Sequence, residues 1–145
     1  MPLTIRIATP DDAPALAHLN AAFNGVDEPP EQLAACMPAV RDIETALLAE
    51  LDGELAGFAC LRVVPCLLYA APYAELTELY VEPAYRRRGV GRALIAAAER
   101  LARERAAEDV IIMTRINNAA AQALYRTMGY DSYAVALHRK LAPES

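Results

Sequence analysis

Long apolar runs are missing from this 145-residue chain: none approaches the roughly 18–20 residues that a membrane-spanning helix needs, so the sequence predicts a soluble domain with no membrane partner. Cysteine is scarce and unpatterned. Cys36, Cys60 and Cys66 make an odd count without paired spacing, which excludes a disulfide framework and a zinc-ribbon arrangement and leaves three thiols expected to be buried. The only two histidines, His18 and His138, are far apart and have no acidic or cysteine partner at ligand spacing, so no metal is expected. Positive charge is also in deficit, with 14 basic against 19 acidic residues and a formal net charge of -5. A broad nucleic-acid footprint is therefore not expected. The opening "MPLTIRIATPDD" lacks the basic, apolar and small-residue regions of a secretory signal, which points to the cytoplasm.

What is present suits one mixed α+β (α/β) domain spanning residues 1–145, as the length and the 55% hydrophobic fraction allow. Alternation predicts a strand from Leu3 to Ala8, and capping residues Thr9 to Asp12 lead into a helix to about Phe23. A turn-rich acidic segment, Asn24 to Glu31, precedes a short helix from Glu31 to Met37 that Pro38 should end, and the segment is a candidate lid. Asp52-Gly53 predicts a tight hairpin between strands Thr45–Leu51 and Glu54–Val64. Further strands are expected at Tyr73–Val81 and Asp109–Arg115, the latter parallel to its neighbour across an amphipathic helix from Val90 to Arg105. A helix capped by Asn117 or Asn118 and stopped at Gly129 follows, then a closing strand in "SYAVALHRKL"; only the last few residues look disordered.

The basic residues that do occur are concentrated. Arg86, Arg87, Arg88 and Arg92 surround Gly89-Val90-Gly91 where a strand gives way to a helix. Like charges crowd at a cost unless water or an anion answers them, and a helix N-terminus offers unpaired N–H groups and partial positive charge to a phosphate. A P-loop is excluded, because Arg92-Ala93 stand where it needs Lys-Ser/Thr. A dinucleotide fingerprint would need Gly or Ala in place of Leu94 and a position in the first strand–helix unit.

The stretch "LYVEPAYRRRGVGRALI" followed by "NNAAAQALYRTMGY" resembles the GNAT superfamily of acetyl-CoA-dependent N-acetyltransferases. The family's Q/R-x-x-G-x-G/A motif matches Arg86 to Gly91. Its later signature matches Asn118, Ala121, Leu124-Tyr125 and Gly129-Tyr130, and the resemblance runs from about Leu3 to Leu141. It implies the GNAT fold, a mostly antiparallel mixed sheet flanked by helices with splayed strands holding acetyl-CoA as cosubstrate. Main-chain groups of Leu79, Tyr80 and Val81 would hold the pantetheine arm and polarise the thioester, and Arg86, Arg87, Arg88, Gly89, Val90, Gly91 and Arg92 would hold the pyrophosphate.

Asn118, Ala121 and Tyr125 share one helix face. By resemblance Asn118 bonds the arm and Tyr125 protonates the departing thiolate; on their own, Asn118 also suits a helix cap and Tyr125 a packed aromatic. Glu75 and Glu78 are candidate general bases. Their odd separation puts them on opposite faces unless a bulge changes the phase, and Glu78 is favoured as nearer the expected bulge. The expected reaction is direct attack, in a ternary complex, by a primary amine of a small molecule or peptide. Asp27, Glu28 and Glu31 are candidates to attract a cationic acceptor. A homodimer is compatible with the family. A non-catalytic acyl-CoA sensor of the same fold, or a nucleotide-binding enzyme, is the alternative.

Overall fold

The computed structural model describes residues 2–144, which fall into two compact units on either side of the Ile112/Met113 boundary. The first begins with strand β1 (Leu3–Ile7), then α1 (Ala13–Asn24), α2 (Pro30–Val40), β2 (Glu44–Leu51), β3 (Glu54–Val64), β4 (Tyr73–Val81), α3 (Val90–Glu104) and the two-residue β5 (Ile111–Ile112). The strands lie in the order β1-β2-β3-β4-β5, antiparallel except for the β4–β5 pair. The second unit holds α4 (Ala119–Thr127) followed by irregular chain.

Local chemistry explains the boundaries. Thr9 and Asp12 form a capping box ahead of α1, with Asp12 Oδ2 accepting from the Thr9 backbone N–H at 2.8 Å. The β2–β3 turn takes left-handed angles at Asp52 (φ 54°) and Gly53 (φ 80°), as a two-residue hairpin of right-twisted strands requires. Period-two alternation gives the sheet two apolar faces. One packs Leu61, Val63 and Ala74 with Ala102 of α3. The other packs Leu48 and Phe58 with Leu16 and Leu19 of α1, joined by Leu33 and Met37 of α2.

Four expectations need correction. Helix α2 runs through Pro38 to Val40: in its last turns the proline forfeits only the bond its N–H would have made to the Ala34 carbonyl, on an outer helix with no fully buried residue. The strand at Asp109–Arg115 shrinks to Ile111–Ile112, paired with Glu75 and Leu76. The closing strand in "SYAVALHRKL" does not form: residues 130–144 carry no strand hydrogen bonding, and Tyr133, Val135, Leu137 and Leu141 are exposed, because alternation marks a segment as able to pair without supplying its partner. Cys36 is exposed on α2, and Cys60 and Cys66 are only partly covered. The disorder expected at the extreme C-terminus includes Ser145, which lies outside the described residues. Among the described residues no helix is long and apolar enough to cross a membrane.

Candidate active site

Strand β4 carries the site. On one side it pairs with β3 along its whole length; on the other, pairing with β5 ends at Leu76, so the edge of β4 from Thr77 to Val81 runs on without a β5 ladder partner. Leu79, Tyr80 and Val81 lie in this stretch, opposite Ala59, Phe58 and Gly57. The two strands approach so closely here that a Cβ on Gly57 would overlap the Tyr80 carbonyl oxygen and press on the Val81 Cα at 3.1 Å. Tyr80 packs its ring beside Phe23 and Phe58, with centroids 5.2 and 6.4 Å away.

A β-bulge resolves the question of the two glutamates. Cys60 pairs with Glu78 but Leu61 pairs with Leu76, leaving Thr77 as the extra residue, and the Thr77 hydroxyl donates to the Cys60 carbonyl at 3.3 Å. The bulge changes the phase, so Glu75, opposite Arg62, and Glu78, opposite Cys60, lie on the same sheet face despite their odd separation. They still differ in surroundings. Glu75 accepts a hydrogen bond from the Tyr73 hydroxyl at 3.0 Å and stays outside the main cavity. Glu78 lines that cavity and accepts from Asn24 Nδ2 at 3.3 Å, while the same Asn24 amide donates to Asn20 Oδ1 at 2.8 Å.

The cavity, about 560 Å³, lies between α1, α2 and the sheet. Its walls include Leu16, Leu33, Met37, Phe58 and Cys60. Burial, reinforced by the negative charge of Glu44 and Glu78, pushes the Cys60 thiol up to about 12, so it is protonated and unreactive at neutral pH. Asp27, Glu28 and Glu31 are exposed and do not line the cavity.

Beyond β4 the chain makes a helical turn at Pro83–Tyr85 and reaches α3 through two left-handed residues, Arg87 (φ 64°) and Gly89 (φ 81°). Gly89 is the N-cap of α3, and nothing lies within 4 Å of where its Cβ would be, so space is open beside the N-cap, where the N–H groups of Val90, Gly91 and Arg92 have no intrahelical partner. Arg86 turns back: its Nε donates to the Val81 carbonyl at 2.9 Å and its guanidinium sits 5.8 Å from the Tyr80 ring centroid. This ties the arginine loop to the end of β4, a bracing role the sequence did not suggest. Arg87 and Arg88 are exposed, as is Arg92 on the first turn of α3. An unblocked helix N-terminus, three exposed guanidinium groups and an unladdered strand edge are a donor set that fits the pyrophosphate and amide-rich arm of a CoA thioester.

In the second unit, Asn118 caps α4, its Oδ1 accepting from the Ala121 N–H at 3.2 Å. Tyr125 is half-buried, with its ring edge-on to Tyr130 at 6.3 Å, and burial raises its phenol above the usual value, keeping it protonated. Gly129 takes φ 94° just past the helix end. Among the described residues no cluster of three or more His, Cys, Asp or Glu side chains is arranged to hold a metal ion.

The chain matches the Acetyltransferase (GNAT) family over residues 14–130, and it belongs to that family. It is 34% identical over 134 residues to the aminoglycoside N(6')-acetyltransferase type 1 of Stenotrophomonas maltophilia, covering 88% of this chain and 86% of that one. Its fold superposes on AAC(6')-Iy in complex with the bisubstrate analogue CoA-S-monomethyl-acetylneamine, with a TM-score of 0.84 at 22% identity over 98% of this chain and all of that one. It also superposes on a ribosomal-protein-alanine N-acetyltransferase from Brucella melitensis biovar Abortus 2308, with a TM-score of 0.83 at 19% identity over 97% of this chain and 100% of the other. The protein is an N-acetyltransferase of mixed α+β GNAT fold.

Proposed function

We propose that the protein transfers the acetyl group of acetyl-CoA directly to a primary amine bound in the cavity beside β4, with Glu78 as the proton acceptor and Tyr125 as the proton donor. The observation that carries this reading is the position of Glu78: it is the carboxylate of β4 that lines the cavity, on the stretch of strand whose far edge lacks a β5 partner. Because the Glu82 N–H bonds the Ala56 carbonyl, ladder alternation turns the main-chain groups of Tyr80 to β3 and those of Leu79 to the open edge, where they would hold the pantetheine arm. The Val81 carbonyl already accepts from Arg86, which leaves Val81 its N–H. The α3 N-terminus with Arg87, Arg88 and Arg92 would hold the pyrophosphate, Arg86 would fix the loop, and Asn118 and Ala121 would flank the arm.

The thioester supplies an activated acyl carbon and a thiolate leaving group. The amine loses a proton to Glu78, directly or through a water, as its nitrogen bonds the acyl carbon; the C–S bond breaks, and the sulfur takes the Tyr125 proton. A phenol raised above its usual value is a weaker acid than a thiol, so transfer of the Tyr125 proton to the thiolate is uphill and depends on surroundings that favour the protonated sulfur.

The family match crosses the boundary between the two compact units, which supports one functional domain over residues 1–145. An acidic net charge of -5 argues for a small-molecule or peptide acceptor rather than nucleic acid. Exposed apolar residues at alternate positions, Tyr133, Val135 and Leu137, support a homodimer in which this segment pairs with a second copy.

The test is a comparison of Glu78→Gln with Glu75→Gln. The first is expected to lower kcat/KM about 100-fold, and the second to leave it nearly unchanged. Acetyl-CoA at 100 times its Kd should stabilise wild type and both variants alike, by about 2.7 kcal/mol. No stabilisation of the wild type, or equal turnover by the two variants, would remove the assignment.

A further inference from the structure

We infer that the acceptor carries a single primary ammonium group on an apolar body, and is not a polycation. This rests on the cavity beside β4 being the acceptor site. Its ionisable lining is balanced, with Glu44 and Glu78 against Arg41 and Arg105. The two carboxylates are not equivalent. Glu44 Oε2 accepts from Arg62 Nη2 at 3.1 Å, so its charge is answered by a cation outside the lining. Glu78 has only the neutral amide of Asn24 as a hydrogen-bond partner, and it enters no salt bridge among the described residues. One carboxylate is thus free to answer one ammonium.

Apart from Asn20 and Thr45, the rest of the wall is mainly apolar, with Leu16, Leu33, Met37, Val40 and Phe58 its largest hydrocarbon side chains. A polyamine or an aminoglycoside seated here would hold its remaining ammonium groups against hydrocarbon and near two arginines, and a buried charge without a partner is strongly unfavourable. An aliphatic or aromatic body bearing one amine gains by covering the same wall. The nearby acidic residues Asp27, Glu28 and Glu31 do not offset this, because none lines the cavity. The chemistry fits either a free arylalkyl or alkyl amine or the N-terminal ammonium of a peptide beginning with an apolar residue. In each case R–NH₃⁺ and the thioester give R–NH–acetyl, the free thiol and one released proton.

The experiment is thiol release by the full chain with saturating acetyl-CoA and four acceptors: 2-phenylethylamine, a Leu-Phe-headed hexapeptide amide, spermidine and neamine. The expected result is kcat/KM at least tenfold higher for one of the first two than for spermidine or neamine, and which of the two leads identifies the source. Preference for spermidine or neamine overturns the inference while leaving the transferase reading intact. Acetyl-CoA stabilisation with no thiol release from any acceptor overturns both. Cys36 is exposed on α2 and lines the cavity, so Cys36→Glu adds a third carboxylate there, and a second one without a partner cation, without disturbing a core. It should move the ratio of spermidine to monoamine turnover at least fivefold toward spermidine; an unchanged ratio also overturns the inference.

Discussion

At the scale of single residues, proton placement divides the chemistry from the scaffold. Cys60 stands directly across from Glu78, yet burial holds its thiol near 12, so this sulfur is not suited to serve as an acyl-enzyme nucleophile. Tyr125→Phe removes a phenolic proton and leaves the ring against Tyr130; kcat should fall about 10- to 100-fold while the Kd for CoA stays within twofold, checked by stopped-flow and calorimetric binding. Asp12 belongs to the scaffold. Arg6 grips it with two bonds of 2.8 Å and also donates from Nε to Glu50 at 2.9 Å, which holds the Asp12 carboxyl far below the usual carboxylate range. A lowered pKa contributes stability that is fully present above the unfolded value near 3.9 and is lost as pH falls below it. Asp12→Asn should therefore cost about 1 kcal/mol at pH 7 and little at pH 2, measured by urea unfolding. The loss is small because the Arg6 side chain is 41% exposed and water screens the pair.

At the scale of elements, β4 is shaped by two departures from regularity, and each has a different cause. The bulge at Thr77 is an event of pairing: the Tyr73–Val81 pattern reads as an uninterrupted strand, and only the register with β3 reveals the extra residue. The close approach at Gly57 is an event of packing, and the single glycine inside β3 marks it. Gly57→Ala should force β3 and β4 apart beside the edge of β4 that lacks a β5 partner and is proposed to hold the cosubstrate. The expected outcome is a loss of about 2–3 kcal/mol in stability, read from thermal unfolding, together with a CoA Kd at least fivefold weaker. The arginine loop is similar: its composition was legible, but the return of Arg86 to the Val81 carbonyl depends on where β4 ends in space.

At the scale of the whole molecule, the sheet stops at β5 and the chain beyond α4 keeps apolar residues in water, with Leu137 93% exposed. A second copy is the proposed cover. Light scattering after gel filtration should give twice the 15.7 kDa chain mass, and Leu137→Glu should shift the mass toward the monomer with acetyl-CoA binding retained. A monomeric wild type would remove the dimer.

The sequence by itself determined the order of elements from β1 to α4, the Asp52-Gly53 hairpin, the boundaries of β4 and the arginine-glycine turn before α3, because each is written in local periodicity, capping or glycine chemistry. Only tertiary structure decided that Glu78 rather than Glu75 meets the cavity, that Cys36 is exposed, that α2 continues past Pro38, and that the last alternating segment finds no strand partner. Those outcomes depend on register and on which surfaces meet across many residues of chain, which no local pattern encodes.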